Sequence, residues 1–104
     1  MAIEEDLAIE FTKALERTVE MARSSGYNPS YFTQMLDTIG GIETAKRLLA
    51  SKKPQTGLFE LYDLDLLDES MEAVVLQERF QCLFTDGELK EAHKRLEDLN
   101  YFEY

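Results

Sequence analysis

Tryptophan is absent from this sequence, and cysteine and histidine occur once each, as Cys82 and His93. A lone thiol cannot close an internal disulfide, so stability has to come from a packed core, and such a thiol belongs most naturally in a reducing compartment. One histidine and one cysteine cannot build a His/Cys metal site unless carboxylates complete it. They also leave a single nucleophile–base pairing to consider for catalysis, and nothing in the sequence brings the two together. Neither common Gly-rich phosphate loop is present. No run approaches the roughly 20 apolar residues that cross a bilayer. Met1-Ala2-Ile3-Glu4-Glu5-Asp6 has neither the positive start nor the apolar stretch of a signal peptide. The expectation is a soluble, cytoplasmic protein.

Positive charge is scarce too. Eleven Lys and Arg face 21 Asp and Glu, a net charge of −10, which repels nucleic acid and anionic membranes over most of the surface. The imbalance is uneven. Residues 58–104 hold thirteen acids against four bases, whereas residues 27–57 hold two acids against four bases: Lys46, Arg47, Lys52 and Lys53. The 104 residues, 44% hydrophobic, are read as one domain over 1–104, long enough to bury a core without staples.

Helical periodicity dominates. Ile3, Leu7, Phe11, Ala14, Leu15, Val19 and Ala22 recur at three- and four-residue steps and predict one long N-terminal helix. Ser24-Ser25-Gly26 stops it, with Gly26 suited to a left-handed cap. Pro29 suits the first position of a short second helix carrying Tyr31, Phe32, Met35, Leu36 and Ile39, which Gly40-Gly41 breaks. A third helix runs from Ile42 through Ala45, Leu48 and Leu49, and Pro54 closes it. Residues 58–67 are read as a short helix and an irregular link, since no second strand-like segment is available for pairing. Asp68 is the expected N-cap of a helix carrying Met71, Val74, Val75 and Phe80. Thr85-Asp86-Gly87-Glu88 fits a capping box opening a last helix with Leu89, Ala92, Leu96 and Leu99 inward. The fold class is all-α: a compact bundle of five to six helices.

Four features invite functional readings. Lys46, Arg47, Lys52 and Lys53 are a candidate partner-binding patch, set against simple complementation of a helix C-terminus. A helix-turn-helix over Tyr31–Leu49 would place Glu43 and Thr44 where base-reading residues belong and its cations at the far end, the wrong arrangement for a major-groove reader. Asp63, Asp65, Asp68 and Glu69 lack the central glycine and ligand spacing of a calcium loop and are read as loop acids plus a cap. Tyr101, Phe102 and Tyr104 either pack onto the core or form an aromatic patch for a partner or a second copy. His93 is read as a half-exposed surface residue and Cys82 as a buried, inert thiol.

The strings Gly41-Ile42-Glu43-Thr44-Ala45-Lys46-Arg47-Leu48-Leu49, Thr56-Gly57-Leu58-Phe59-Glu60-Leu61, Met71-Glu72-Ala73-Val74-Val75-Leu76 and Leu83-Phe84-Thr85 resemble a family of small bacterial helical proteins of unknown function. The likeness covers roughly residues 27–100. It departs at Tyr62, where tryptophan is usual, and at Leu58-Phe59, where a more polar start is usual. It implies a bacterial origin and an intracellular accessory role, and it carries no activity across. Within these strings Ala45, Leu48, Leu49, Phe59, Val74 and Leu76 read as core, while Thr44 and Lys46 have no evident packing role.

No catalytic, cofactor-binding or metal-ligating set emerges. The chain is therefore read as a non-catalytic interaction module that binds a protein partner or itself, with direct nucleic-acid or membrane binding not expected. The alternative is a nucleic-acid-associated subunit, or an acidic mimic built from Asp63, Asp65, Asp68, Glu69, Glu72, Glu78, Glu88, Glu91, Glu97 and Asp98.

Overall fold

Heptad-like spacing of apolar residues makes the first helix the backbone of the fold. A computed structural model describes residues 2–52 and 56–102, and in it α1 (Ala2–Ser24) turns Phe11, Leu15, Val19 and Ala22 into the core. Leu7 and Ala14 pack against that cluster as the periodicity predicts. Then come α2 (Ser30–Ala50), α3 (Thr56–Asp63), a 3₁₀ turn (Leu67–Glu69), α4 (Met71–Val75), a 3₁₀ segment (Glu78–Leu83) and α5 (Asp86–Glu97). The all-α bundle with a long N-terminal helix is what the sequence predicts. Among the described residues there is no strand.

Three helices end in the same way. Gly26, Asp65 and Asn100 have φ of 97°, 60° and 60°, the left-handed conformation. The next residue then donates its N–H five residues back: Tyr27 to Ala22, Leu66 to Leu61 and Tyr101 to Leu96. This is the Schellman arrangement, which satisfies carbonyls left over at a helix end and folds the following side chain back over the last turn. Gly26 was legible as a cap. Asp65 and Asn100 adopt the conformation without glycine, as short polar side chains can.

The Gly40-Gly41 break is a kink rather than an end. Gly40, at φ 81° and ψ 171°, leaves the helical region, and the chain resumes its helix at Gly41. The freed Gly41 N–H donates to Thr12 Oγ1 at 3.0 Å. A Cβ at Gly41 would lie 2.7 Å from that oxygen and 2.8 Å from Thr12 Cα, so α1 and α2 approach backbone to backbone here. The kink also strands a hydroxyl. Thr18 and Thr33 each bond the carbonyl four residues back, Ala14 and Pro29. For Thr44 that residue is Gly40, whose carbonyl is turned off the axis, and Thr44 Oγ1 is buried without a partner. Thr44, which the sequence gives no packing role, is thus a core residue.

Other expectations need correction. Pro29 is the N-cap of α2 and Ser30 its first residue. Ser70, not Asp68, caps α4: its hydroxyl accepts from Ala73 N and donates to the Leu67 carbonyl, which a charged carboxylate cannot do. Phe80 is not on α4 but in the 3₁₀ segment after it, where it packs edge-on against Phe11 with centroids 5.1 Å apart. Phe84 completes this aromatic cluster at 5.2 Å from Phe11. Phe59 points outward, because α3 buries Leu58 and Leu61 instead. Cys82 is exposed. The capping box at Thr85 and Glu88 is present as predicted. Ile3's side chain, Lys53, Pro54 and Tyr104 lie outside the described residues.

Gly41→Ala should lower the unfolding free energy by about 1–3 kcal/mol through overpacking against Thr12. Thr44→Val should raise it by about 1 kcal/mol, since it removes an unsatisfied buried hydroxyl of nearly the same shape. Urea unfolding of the two variants reads both signs.

Candidate binding site

One guanidinium ties the ends of three helices together. Arg95 of α5 donates through Nη2 to the carbonyls of Leu48, Leu49 and Ser51, at 2.9, 3.3 and 3.1 Å. These lie at the C-terminal end of α2, where carbonyls lack partners in the helix and the dipole favours a cation. Its Nη1 donates to Glu72 Oε2 of α4 at 3.2 Å, and its Nε to Glu91 Oε2 one turn back at 2.7 Å. The Arg95 and Glu72 side chains are only 10% and 4% exposed. Burial pushes the Glu72 carboxyl above its usual value, against the opposing pull of its own backbone N–H and of Arg95.

α3 stands as a ridge above this network with a cleft on each side. The smaller cleft, about 420 Å³, lies between the α1–α2 turn, α3 and α4, walled by Tyr27, Pro29, Phe32, Leu48 and Met71. The larger, about 780 Å³, lies between the end of α2, α3 and α5, walled by Leu49, Phe59, Leu99, Glu88 and Glu91. Leu58 and Ser51 line both, Glu72 lines the first and Arg95 the second. The buried ion pair is therefore the shared floor. Tyr27 reaches the smaller cleft because the cap at Gly26 folds it back over α1, and burial, then Glu60, raises its phenol above the ordinary value.

The residues singled out from sequence do not gather into one surface. Lys46 Nζ bonds Glu88 Oε1 at 2.8 Å and sits 5.3 Å from the Phe84 ring centre. Burial works upward on Glu88, but Lys46 and the Thr85 groups outweigh it and hold that carboxyl below its usual value. Arg47 pairs with Glu43 one turn earlier at 3.4 Å. Lys52 is exposed and edges the larger cleft. Tyr101 donates to Asp68 Oδ1 at 2.6 Å, and Phe102 stacks on His93 with centroids 4.3 Å apart. Lys46 meets α5 at Glu88 in its first turn and Tyr101 follows its other end, and the two ends of a helix of this length are about 18 Å apart. The acids proposed for mimicry are partly spoken for. Glu72 is buried, and Glu69, Glu88 and Glu91 pair with Arg17, Lys46 and Arg95.

Sequence reasoning missed Arg95, Glu72 and Tyr27. A signal existed for the first: position 95 lies three after Ala92 and four before Leu99, on the stripe that should be apolar. No family model matches this chain, and no curated protein or solved structure does either.

Arg95→Met should cost about 3–5 kcal/mol, because it leaves the buried Glu72 carboxylate without its cation and removes the Arg95 bonds to the end of α2. Adding Glu72→Met should recover part of that loss and not all of it, as the Arg95 bonds to the end of α2 stay lost; a double-mutant cycle measures both. Because the folded Glu72 carboxyl sits above its unfolded value, its contribution is fully present below the unfolded value and is lost as pH rises through the folded one. The stability of wild type relative to Glu72→Gln should therefore fall with rising pH over that window.

Burial, then the Asp68 hydrogen bond, pushes the Tyr101 phenol up to about 12. Ultraviolet titration should show a late-ionising tyrosine that disappears in Tyr101→Phe.

Proposed function

We propose that this chain is a non-catalytic interaction module that binds a protein partner over α3 and the two clefts beside it. The observation that carries this is the placement of exposed aromatics. Tyr31, Phe59 and Tyr62 are 71%, 48% and 48% exposed. Tyr31 lines the smaller cleft and Phe59 the larger, while Tyr62 stands one turn beyond Phe59 on the ridge. Aromatic side chains concentrate at the energetic centres of interfaces because they bury much area at little entropic cost. The Arg95 network supports the reading from below, since it holds both cleft floors in place before any partner arrives, and preformed surfaces bind with less ordering cost. The tail aromatics Tyr101 and Phe102 are less suited, being engaged with Asp68 and His93. An exposed, unpaired Cys82 is consistent with a cytoplasmic setting.

The test is affinity capture from lysate with the tagged chain and with its Phe59→Ser/Tyr62→Ser variant, each with and without nuclease. Circular dichroism establishes that the variant is folded. A protein retained by wild type after nuclease and lost from the variant is the expected result. Equal recovery by both, or loss on nuclease treatment, overturns the reading.

A further inference from the structure

The chemistry of the ridge narrows what can sit on it. From residue 56 to residue 78 the chain carries seven carboxylates, Glu60, Asp63, Asp65, Asp68, Glu69, Glu72 and Glu78, and no Lys or Arg. The exposed faces of Phe59 and Tyr62 lie inside this cation-free stretch. Glu60, Asp63 and Asp65 take part in no ion pair among the described residues, and Asp63 and Asp65 are exposed. They stand at the C-terminal end of α3, where the helix dipole adds negative potential of its own. Across the larger cleft stand Glu88 and Glu91 of α5, paired with Lys46 and Arg95, and Asp98 just after the helix, while the Arg95 charge is consumed internally. Among the described residues, Lys52 is the remaining cation on that rim.

Resting on the interaction reading above, we infer that the occupant is a basic segment of another protein, carrying Arg or Lys beside one or two large apolar side chains. The apolar anchors fill the larger cleft against Leu58 and Phe59. The cations meet Asp63, Asp65 and the helix end, with their aliphatic stems lying along Phe59 and Tyr62. A second copy of this chain is a poor occupant. A two-fold interface would set the same carboxylates of each copy against those of the other, with like charges in contact.

The experiment pans a random peptide library in parallel against the full chain and its Phe59→Ser/Tyr62→Ser variant. Peptides enriched by the first and not the second should carry net positive charge and at least one large apolar residue. Because the chain has no tryptophan, a selected peptide tagged with one reports its own binding by fluorescence. Its affinity should fall at least about tenfold in the double variant and weaken steadily with added salt. Asp63→Asn/Asp65→Asn should flatten that salt dependence, and asparagine keeps the left-handed cap at position 65 available. Enriched peptides that are neutral or acidic overturn the basic occupant and leave the interaction reading standing. Enrichment that ignores Phe59 and Tyr62 removes the ridge as the site. A dimer of the chain alone in sedimentation, lost in the double variant, replaces the basic partner with a second copy.

Discussion

The Arg95 guanidinium is the constraint on which the surface of this protein depends. It meets the carbonyl end of α2, a carboxylate of α4 and a carboxylate of its own helix. Each of these groups would be costly to bury alone, and together they satisfy one another. A pair of isosteric apolar residues could fill the same volume with comparable stability, but would not orient three helix ends. Directional bonds give the orientation. That is why a buried charge sits beneath both clefts.

The second organising contact lies at the other side of the core. Gly40 gives up helical geometry, Gly41 lets α1 approach to backbone distance, and Thr12 supplies the hydrogen bond that the broken helix no longer offers. Its cost is visible one turn on, in the unpartnered hydroxyl of Thr44. The kink and the stranded hydroxyl are one feature seen at two residues. Both follow from placing glycine where the helices cross.

Much of the fold could be read from residue order because its determinants are local. The α1 stripe, the left-handed cap at Gly26, the break at Gly40 and the capping box at Thr85 each rest on residues within about one or two turns. What escaped rests on distant partners or on choices between near-equal neighbours. Ser70 rather than Asp68 caps α4 because a hydroxyl can both accept and donate there. Phe59 turns outward because Leu58 and Leu61 fill the inner face of a helix too short to bury both sides. Arg95 and Glu72, twenty-three residues apart, announce themselves only once α4 and α5 are side by side. The site was less legible than the fold for this reason: Lys46, which stood out in sequence, is neutralised by Glu88, an acid 42 residues away that its own spacing did not reveal.

The repeated stop signal at Gly26, Asp65 and Asn100 bears on the order in which the molecule assembles. Each stop is closed by bonds reaching back three to five residues, and loops that short close within nanoseconds to microseconds. The contacts that set the limits of α1, α3 and α5 can therefore form without the rest of the fold. The bend at Gly40 is different, for its compensating bond spans 29 residues and waits for α1 to meet α2. Segment limits need only local contacts in this chain, and the angle between its two longest helices needs a long-range one.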